Sequence, residues 1–156
     1  NNNQLTQCPE NHVVTGITTT QTSYDGSQTL NYINLICKEK QGNVLIGNEI
    51  FGGEFGSSGT IEPIPLRCND TTHPNGVMVG ELIWLTPNGN DYVKNVGLVC
   101  NSLENIASGN YSDTYNIVPT GEVNPSILKC RDGYIVTGYK VRNGAVIDSI
   151  NFLCKE

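Results

Sequence analysis

The feature that most constrains this chain is a threefold internal repeat punctuated by cysteines. Sliding the sequence on itself by about 60 residues aligns three segments, each a few residues after a cysteine. They are Val13-Val14-Thr15-Gly16, Val77-Met78-Val79-Gly80 and Ile135-Val136-Thr137-Gly138. Beyond each glycine stands a turn dipeptide, Asp25-Gly26, Asn88-Gly89 or Asn143-Gly144. Such pairs tolerate positive φ and suit two-residue hairpins. An alternating apolar run then leads into a second cysteine: Ile33, Leu35, Cys37; Val96, Leu98, Cys100; Ile150, Phe152, Cys154. Alternation with period two and β-branched residues marks a strand with one buried face. Every repeat therefore reads as a hairpin with one cysteine at its entry and one at its exit.

Six cysteines permit many pairings. The repeat makes Cys8-Cys37, Cys68-Cys100 and Cys130-Cys154 the parsimonious set, each bond pinning its own hairpin. Closing loops of this length is worth about 3 to 4 kcal/mol per bond before strain is subtracted. Such bonds require an oxidising compartment. No Cys-x-x-Cys pair occurs, and His12 and His73 sit in loops away from any cysteine pair, so neither a metal nor another cofactor is expected.

A further element repeats ahead of two entry cysteines: Gly59 to Cys68 matches Gly121 to Cys130, with prolines at Pro63 and Pro125. Proline there argues for edge pairing or a bulge. Only seven residues precede Cys8, with no matching proline, and only Lys155 and Glu156 follow Cys154. One strand of the threefold pattern is therefore short. The expectation is a thinner first sheet, or one completed by residues outside this chain, with an open edge for self-association.

No segment shows a sustained helical apolar stripe, and glycine is dense from Gly42 to Gly59, so helix content should be close to nil. The chain has 156 residues, which suits a single all-β domain with repeats of approximately 1–42, 43–104 and 105–156. Three small sheets, none able to bury its apolar face alone, are expected to pack around a common axis.

Composition narrows the partners. Charged residues are 15% of the chain, against about 25% in a typical protein, so the surface is largely uncharged and polar. The nine Lys and Arg do not cluster, which argues against nucleic acid and anionic membranes. No apolar run approaches the roughly 20 residues that span a bilayer. The opening Asn1 reads as the start of a mature, secreted, extracellular chain.

The pattern Cys-Pro-x-x-x-Val-x-x-Gly (Cys8 to Gly16), a hairpin, and then Leu30-Asn31-x-Ile33-x-Leu35-x-Cys37 resembles the repeat of the vitelline membrane outer layer protein I family. The resemblance covers nearly the whole chain. It implies a β-prism of three Greek-key sheets with pseudo-threefold symmetry, in extracellular proteins that coat egg surfaces or secreted layers and are linked to chitin-type oligosaccharides. The family's Trp-Gly-x-Trp segment is replaced here by segments such as Phe51 to Phe55. Its Asp-Asp-Thr-Ala-x-Asn stretch survives only as Thr29-Leu30-Asn31, and the Asn31 position becomes Lys94 and Asp148 in the other repeats.

Residues able to do chemistry are few. If the symmetric positions Asn31, Lys94, Asp148, Glu62 and Asn124 met near the axis, Glu62 and Asp148 would make a carboxylate pair of the glycosidase kind. The plainer reading places them on outward strand faces. No Gly-x-Ser-x-Gly elbow, phosphate loop or zinc signature is present. A glycan site needs an aromatic platform beside amides and acids. Trp84, Tyr24, Tyr92, Tyr111, Tyr115, Tyr134 and Tyr139 are the available large rings. Tyr24 and Tyr92 flank hairpin turns and are the leading contacts, with Asn31, Lys94 and Asn124 as polar partners. Trp84 lies on a strand whose alternation favours burial. Asn69-Asp70-Thr71 and Asn110-Tyr111-Ser112 are N-glycosylation sequons, at Asn69 and Asn110. The sequence thus reads first as a secreted structural component of an extracellular coat, contacting glycans or coat proteins. A lectin-like module for chitin-type sugars comes next, and a weak glycoside-processing enzyme third.

Overall fold

The computed structural model describes residues 2–86, 92–116, 124–143 and 146–156, without the side chains of residues 2, 3, 143 and 148. In chain order the strands are β1 (Asn2–Gln7), β2 (His12–Tyr24), β3 (Ser27–Gln41), β4 (Val44–Gly56), β5 (Ile64–Arg67) and β6 (Gly76–Leu85). They continue as β7 (Val93–Ser102), β8 (Thr114–Asn116), β9 (Ser126–Lys129), β10 (Ile135–Asn143) and β11 (Ile147–Lys155). One short helix, α1 (Leu103–Ala107), interrupts the expectation of almost no helix. Ser102 caps it, its side chain accepting the Asn105 amide.

The three repeats form three antiparallel sheets. The first runs β4-β3-β2-β5, the second β8-β7-β6-β9 and the third β1-β10-β11. Each is centred on one predicted hairpin: β2–β3, β6–β7 or β10–β11. Asp25 and Gly26, both at positive φ, close the first. Asn88-Gly89 and Gly144 lie outside the described residues.

The strand ahead of each entry cysteine does not join its own repeat. β5 pairs with β2 of the first repeat, β9 with β6 of the second, and β1 closes the ring on β10 of the third. Cys68, Cys130 and Cys8 then donate their backbone amides to the carbonyls of Thr15, Val79 and Thr137, one equivalent bond per repeat.

This exchange explains the aligned glycines. A Cβ at Gly16, Gly80 or Gly138 would sit well inside van der Waals contact of the Leu66, Leu128 or Thr6 carbonyl oxygen on the crossing strand. All three hairpins carry a register shift at that glycine.

The exchange also changes what the disulfides do. Cys8–Cys37, Cys68–Cys100 and Cys130–Cys154 each span 5.4 to 5.9 Å between Cα atoms. Each entry cysteine ends a strand of one sheet, and its partner lies on the second hairpin strand of the next sheet. The bonds therefore staple neighbouring sheets together, where the sequence suggested that each pins its own hairpin.

The core fills the space between the sheets. Val14, Met78 and Val136 meet Leu35, Leu98 and the alternating Ile33, Val96 and Ile150 in one cluster. β2, β6 and β10 pack against one another at its centre. The residue after each aligned glycine, Ile17, Glu81 or Tyr139, is fully buried there. A second cluster of Val77, Val79, Leu82, Trp84 and Val99 covers the outward face of the second sheet under Leu103 of α1. The thin sheet is the third, not the first: β4 and β8 flank the second hairpin strands β3 and β7, and β11 has no counterpart among the described residues.

Candidate functional site

The residues singled out from sequence divide between two ends of the molecule. At the hairpin tips, Tyr24 and Tyr92 do come together, as an edge-to-face pair with ring centroids 5.3 Å apart at 79°. Gln21 Nε2 donates to the Lys94 carbonyl at 2.6 Å beside them, so the ends of the first two hairpins are tied. Asn31 is not free for a ligand: its Oδ1 accepts from the Thr20 hydroxyl at 2.7 Å and its Nδ2 donates to the Ser57 carbonyl at 2.9 Å. Glu62 is exposed in the connection between β4 and β5, and Asn124 is exposed at φ 58° before β9. The side chain of Asp148 lies outside the described residues. Trp84 is only 6% exposed and packs in the second cluster, so its ring face is unavailable to a sugar.

Among the described residues, concave surface lies at the opposite, cysteine end. A cleft of about 430 Å³ opens between the first and second sheets, over the Cys68–Cys100 bond. Arg67 at the end of β5, the loop from Asp70 to Gly76, the end of β7, Asn105 of α1 and the run Ser112 to Asn116 line it. The equivalent cleft between the third and first sheets, around Cys8, measures about 550 Å³, but Glu10, His12, Lys40, Lys155 and Glu156 line it without a Tyr, Phe or Trp.

Local chemistry builds the first cleft. Asp70 Oδ1 accepts from the Thr72 amide at 3.0 Å, the Thr72 hydroxyl at 2.9 Å and the His73 amide at 2.7 Å, folding the loop into a tight turn. The Thr72 hydroxyl first, and then the His73 amide, hold the Asp70 carboxyl below its ordinary pKa, so it stays ionised and acceptor-only. Asn101 organises the far wall. Its Nδ2 donates to the Asn110 carbonyl at 3.1 Å and to Asp113 at 3.3 Å, and its Oδ1 accepts from Ser102 and Asn105. Asn116 Nδ2 donates to the Arg67 carbonyl at 2.7 Å, joining β8 to β5 across the seam. Arg67 is itself neutralised by Glu49 through a bidentate pair at 2.7 and 3.0 Å. Against this polar wall stands Tyr115, paired in register with Val99 and 59% exposed.

Among the described residues no cluster of His, Cys, Asp or Glu could hold a metal ion. The cleft offers instead an aromatic ring, an ionised carboxylate and several amides. Sequence reasoning placed Tyr115 only among the available rings and passed over Asp70. The signal was in the repeat: an acid stands two residues after every entry cysteine, Glu10, Asp70 and Asp132.

No family model and no curated protein sequence matches the chain. Its fold has relatives among solved structures. The lectin MPA complexed with T-antigen disaccharide superposes with a TM-score of 0.58 at 10% identity, covering 98% of this chain and 99% of that one. The fold is that of the jacalin-like β-prism lectins. Jacalin in its T-antigen complex gives 0.57 at 11% identity over 92% of both chains. A mannose-binding lectin from Champedak gives 0.56 at 12% identity over 100% of this chain and 95% of its own. These likenesses establish the β-prism that the vitelline membrane outer layer protein I resemblance implied, and the neighbours themselves are jacalin-like lectins.

Proposed function

We propose that this β-prism is a carbohydrate-binding module whose site is the cleft over Cys68–Cys100. The carrying observation is the exposed Tyr115 ring beside an ionised Asp70 and the amides of Asn105 and Asn116, in a concave surface with no strong net charge. Sugars present an apolar ring face to an aromatic platform and a rigid pattern of hydroxyls to amides and carboxylates. The jacalin-like neighbours, among them lectins that bind T-antigen disaccharide, mannose and galactose, support the class. A neutral oligosaccharide is the expected ligand, with chitin-type chains among the candidates. Three disulfides and a surface poor in charge support a secreted protein acting in an oxidising, extracellular setting.

The test is calorimetric titration with galactose, mannose and chito-oligosaccharides, first on the wild type and then on Tyr115→Ala. One of these sugars binds the wild type saturably, and Tyr115→Ala weakens it roughly tenfold or more without changing the thermal midpoint. Undiminished binding by the variant would place the site elsewhere. A second reading, a structural component of an extracellular coat contacting other coat proteins, is favoured by one observation, the edge of β11 that has no neighbouring strand among the described residues.

A further inference from the structure

The chain holds two Asn-x-Ser/Thr sequons, Asn69-Asp70-Thr71 and Asn110-Tyr111-Ser112, while Asn124-Pro125-Ser126 is ruled out by its proline. The fold treats the two asparagines differently. Asn69 follows Cys68 directly and is half-buried beside the Cys68–Cys100 bond. Its Oδ1 is shut off from solvent and has no partner among the described residues. The backbone there is equally confined, since a Cβ on Gly76 would collide with the Cys68 carbonyl and crowd the Asn69 amide. A sugar attached to Asn69 would have to open that packing.

Asn110 stands in the opposite condition. Helix α1 ends at its cap Ser108, and Gly109 at φ 81° turns the chain out of the helix. The Asn110 backbone is then anchored from both sides: its amide donates to the Asn105 carbonyl at 2.8 Å, and its carbonyl accepts from Asn101 Nδ2 at 3.1 Å. Within the sequon, Asn110 Oδ1 accepts from the Ser112 amide at 3.1 Å, an Asx turn. Asn110, Tyr111 and Ser112 are all exposed. The turn occupies Oδ1 and so fixes the carboxamide, which leaves Nδ2 as the end offered to solvent.

We propose that Asn110 is N-glycosylated and that Asn69 is not. The oxidising route that three disulfides call for is the one on which secreted eukaryotic chains receive N-linked sugar. In the transfer, Asn110 Nδ2 bonds to the anomeric carbon of an oligosaccharide carried on a lipid diphosphate. The bond from that carbon to the phosphate oxygen breaks, the lipid diphosphate leaves with the electron pair, and one Nδ2 proton is released. The Asx turn survives, because its acceptor is Oδ1. The attached glycan stands on the rim of the cleft over Cys68–Cys100, since Asn101, Asn105 and Ser112, which hold Asn110 in place, line that cleft. The assignment is independent of what the cleft binds.

The test is secretion of the full chain from eukaryotic cells, with intact mass measured before and after peptide N-glycosidase, which leaves Asp at each position that carried sugar. The wild type carries one N-glycan, and peptide mapping places the converted residue at position 110. Asn110→Gln and Ser112→Ala each lose the glycan, Ser112→Thr keeps it, and Asn69→Gln retains the full mass excess. The wild-type map decides the matter even where a variant is not secreted. A wild type that emerges without sugar overturns the proposal, and so does sugar on Asn69, alone or together with Asn110.

Discussion

At the residue scale, Glu81 is the least expected group in the molecule. It occupies the position that is Ile17 in the first repeat and Tyr139 in the third, with both carboxyl oxygens buried and unpartnered among the described residues. Burial pushes its pKa well above the usual carboxylate range, and the Tyr139 hydroxyl, turned toward Met78 Sδ at 3.3 Å, is likewise pushed up by burial and by Glu81. A carboxyl whose folded pKa is raised stabilises nothing by ionising. The fold is unpenalised below the unfolded value of 4.5 and loses stability as pH climbs through the raised folded value. The thermal midpoint of the wild type should therefore fall as pH rises from about 5 to about 8, and Glu81→Gln should flatten that slope. An equal slope in both proteins would assign the titration to another group. The sequence could not reveal this, because a glutamate after an aligned glycine looks like any strand-face polar residue until three strands are folded onto one axis.

At the scale of elements, the strand exchanged between repeats organises everything else. The aligned glycines, the hairpins and the paired cysteines were legible because each is a local pattern repeated three times. What the glycines are for was not legible, since the strand that crosses Gly80 comes from residues far along the chain and periodicity carries no information on partners. The same blindness assigned the thin sheet to the first repeat instead of the third. Gly80→Ala, which drives a methyl group into the Leu128 carbonyl, should cost about 2 to 4 kcal/mol in chemical denaturation. A loss below about 1 kcal/mol would mean that β9 can move away. Because the disulfides staple sheet to sheet, replacing Cys68 and Cys100 by serine should lower stability by about 3 to 4 kcal/mol. The same change should release amide protection in the loop from Asp70 to Gly76, while the β2–β3 hairpin keeps its own. Uniform loss of protection across all sheets would contradict a seam-local role.

At the scale of the whole molecule, a pseudo-threefold prism presents three related clefts at its cysteine end and has used them unequally. Those over Cys68 and beside Cys8 are roomy, and the one at Cys130 is small. Of the two roomy ones, the cleft over Cys68 is lined by an exposed tyrosine beside amides and an ionised acid, and the cleft beside Cys8 by no aromatic ring. The aromatic requirement for a glycan site was readable from sequence, and the ring on which the proposed site is built comes from the fold. Tyr24 and Tyr92 were favoured for flanking turns, and the fold spends them on each other, whereas Tyr115 lies on the short edge strand β8, where its side chain stays exposed. The decisive measurement is a two-dimensional amide NMR titration of the full chain with the sugar that binds best. The account predicts saturable shifts confined to Asp70–Gly76 and to the segment from Asn101 to Asn116. Shifts gathered instead around Tyr24, Tyr92 and Lys94, or none with any galactose, mannose or chito-oligosaccharide ligand, would contradict it.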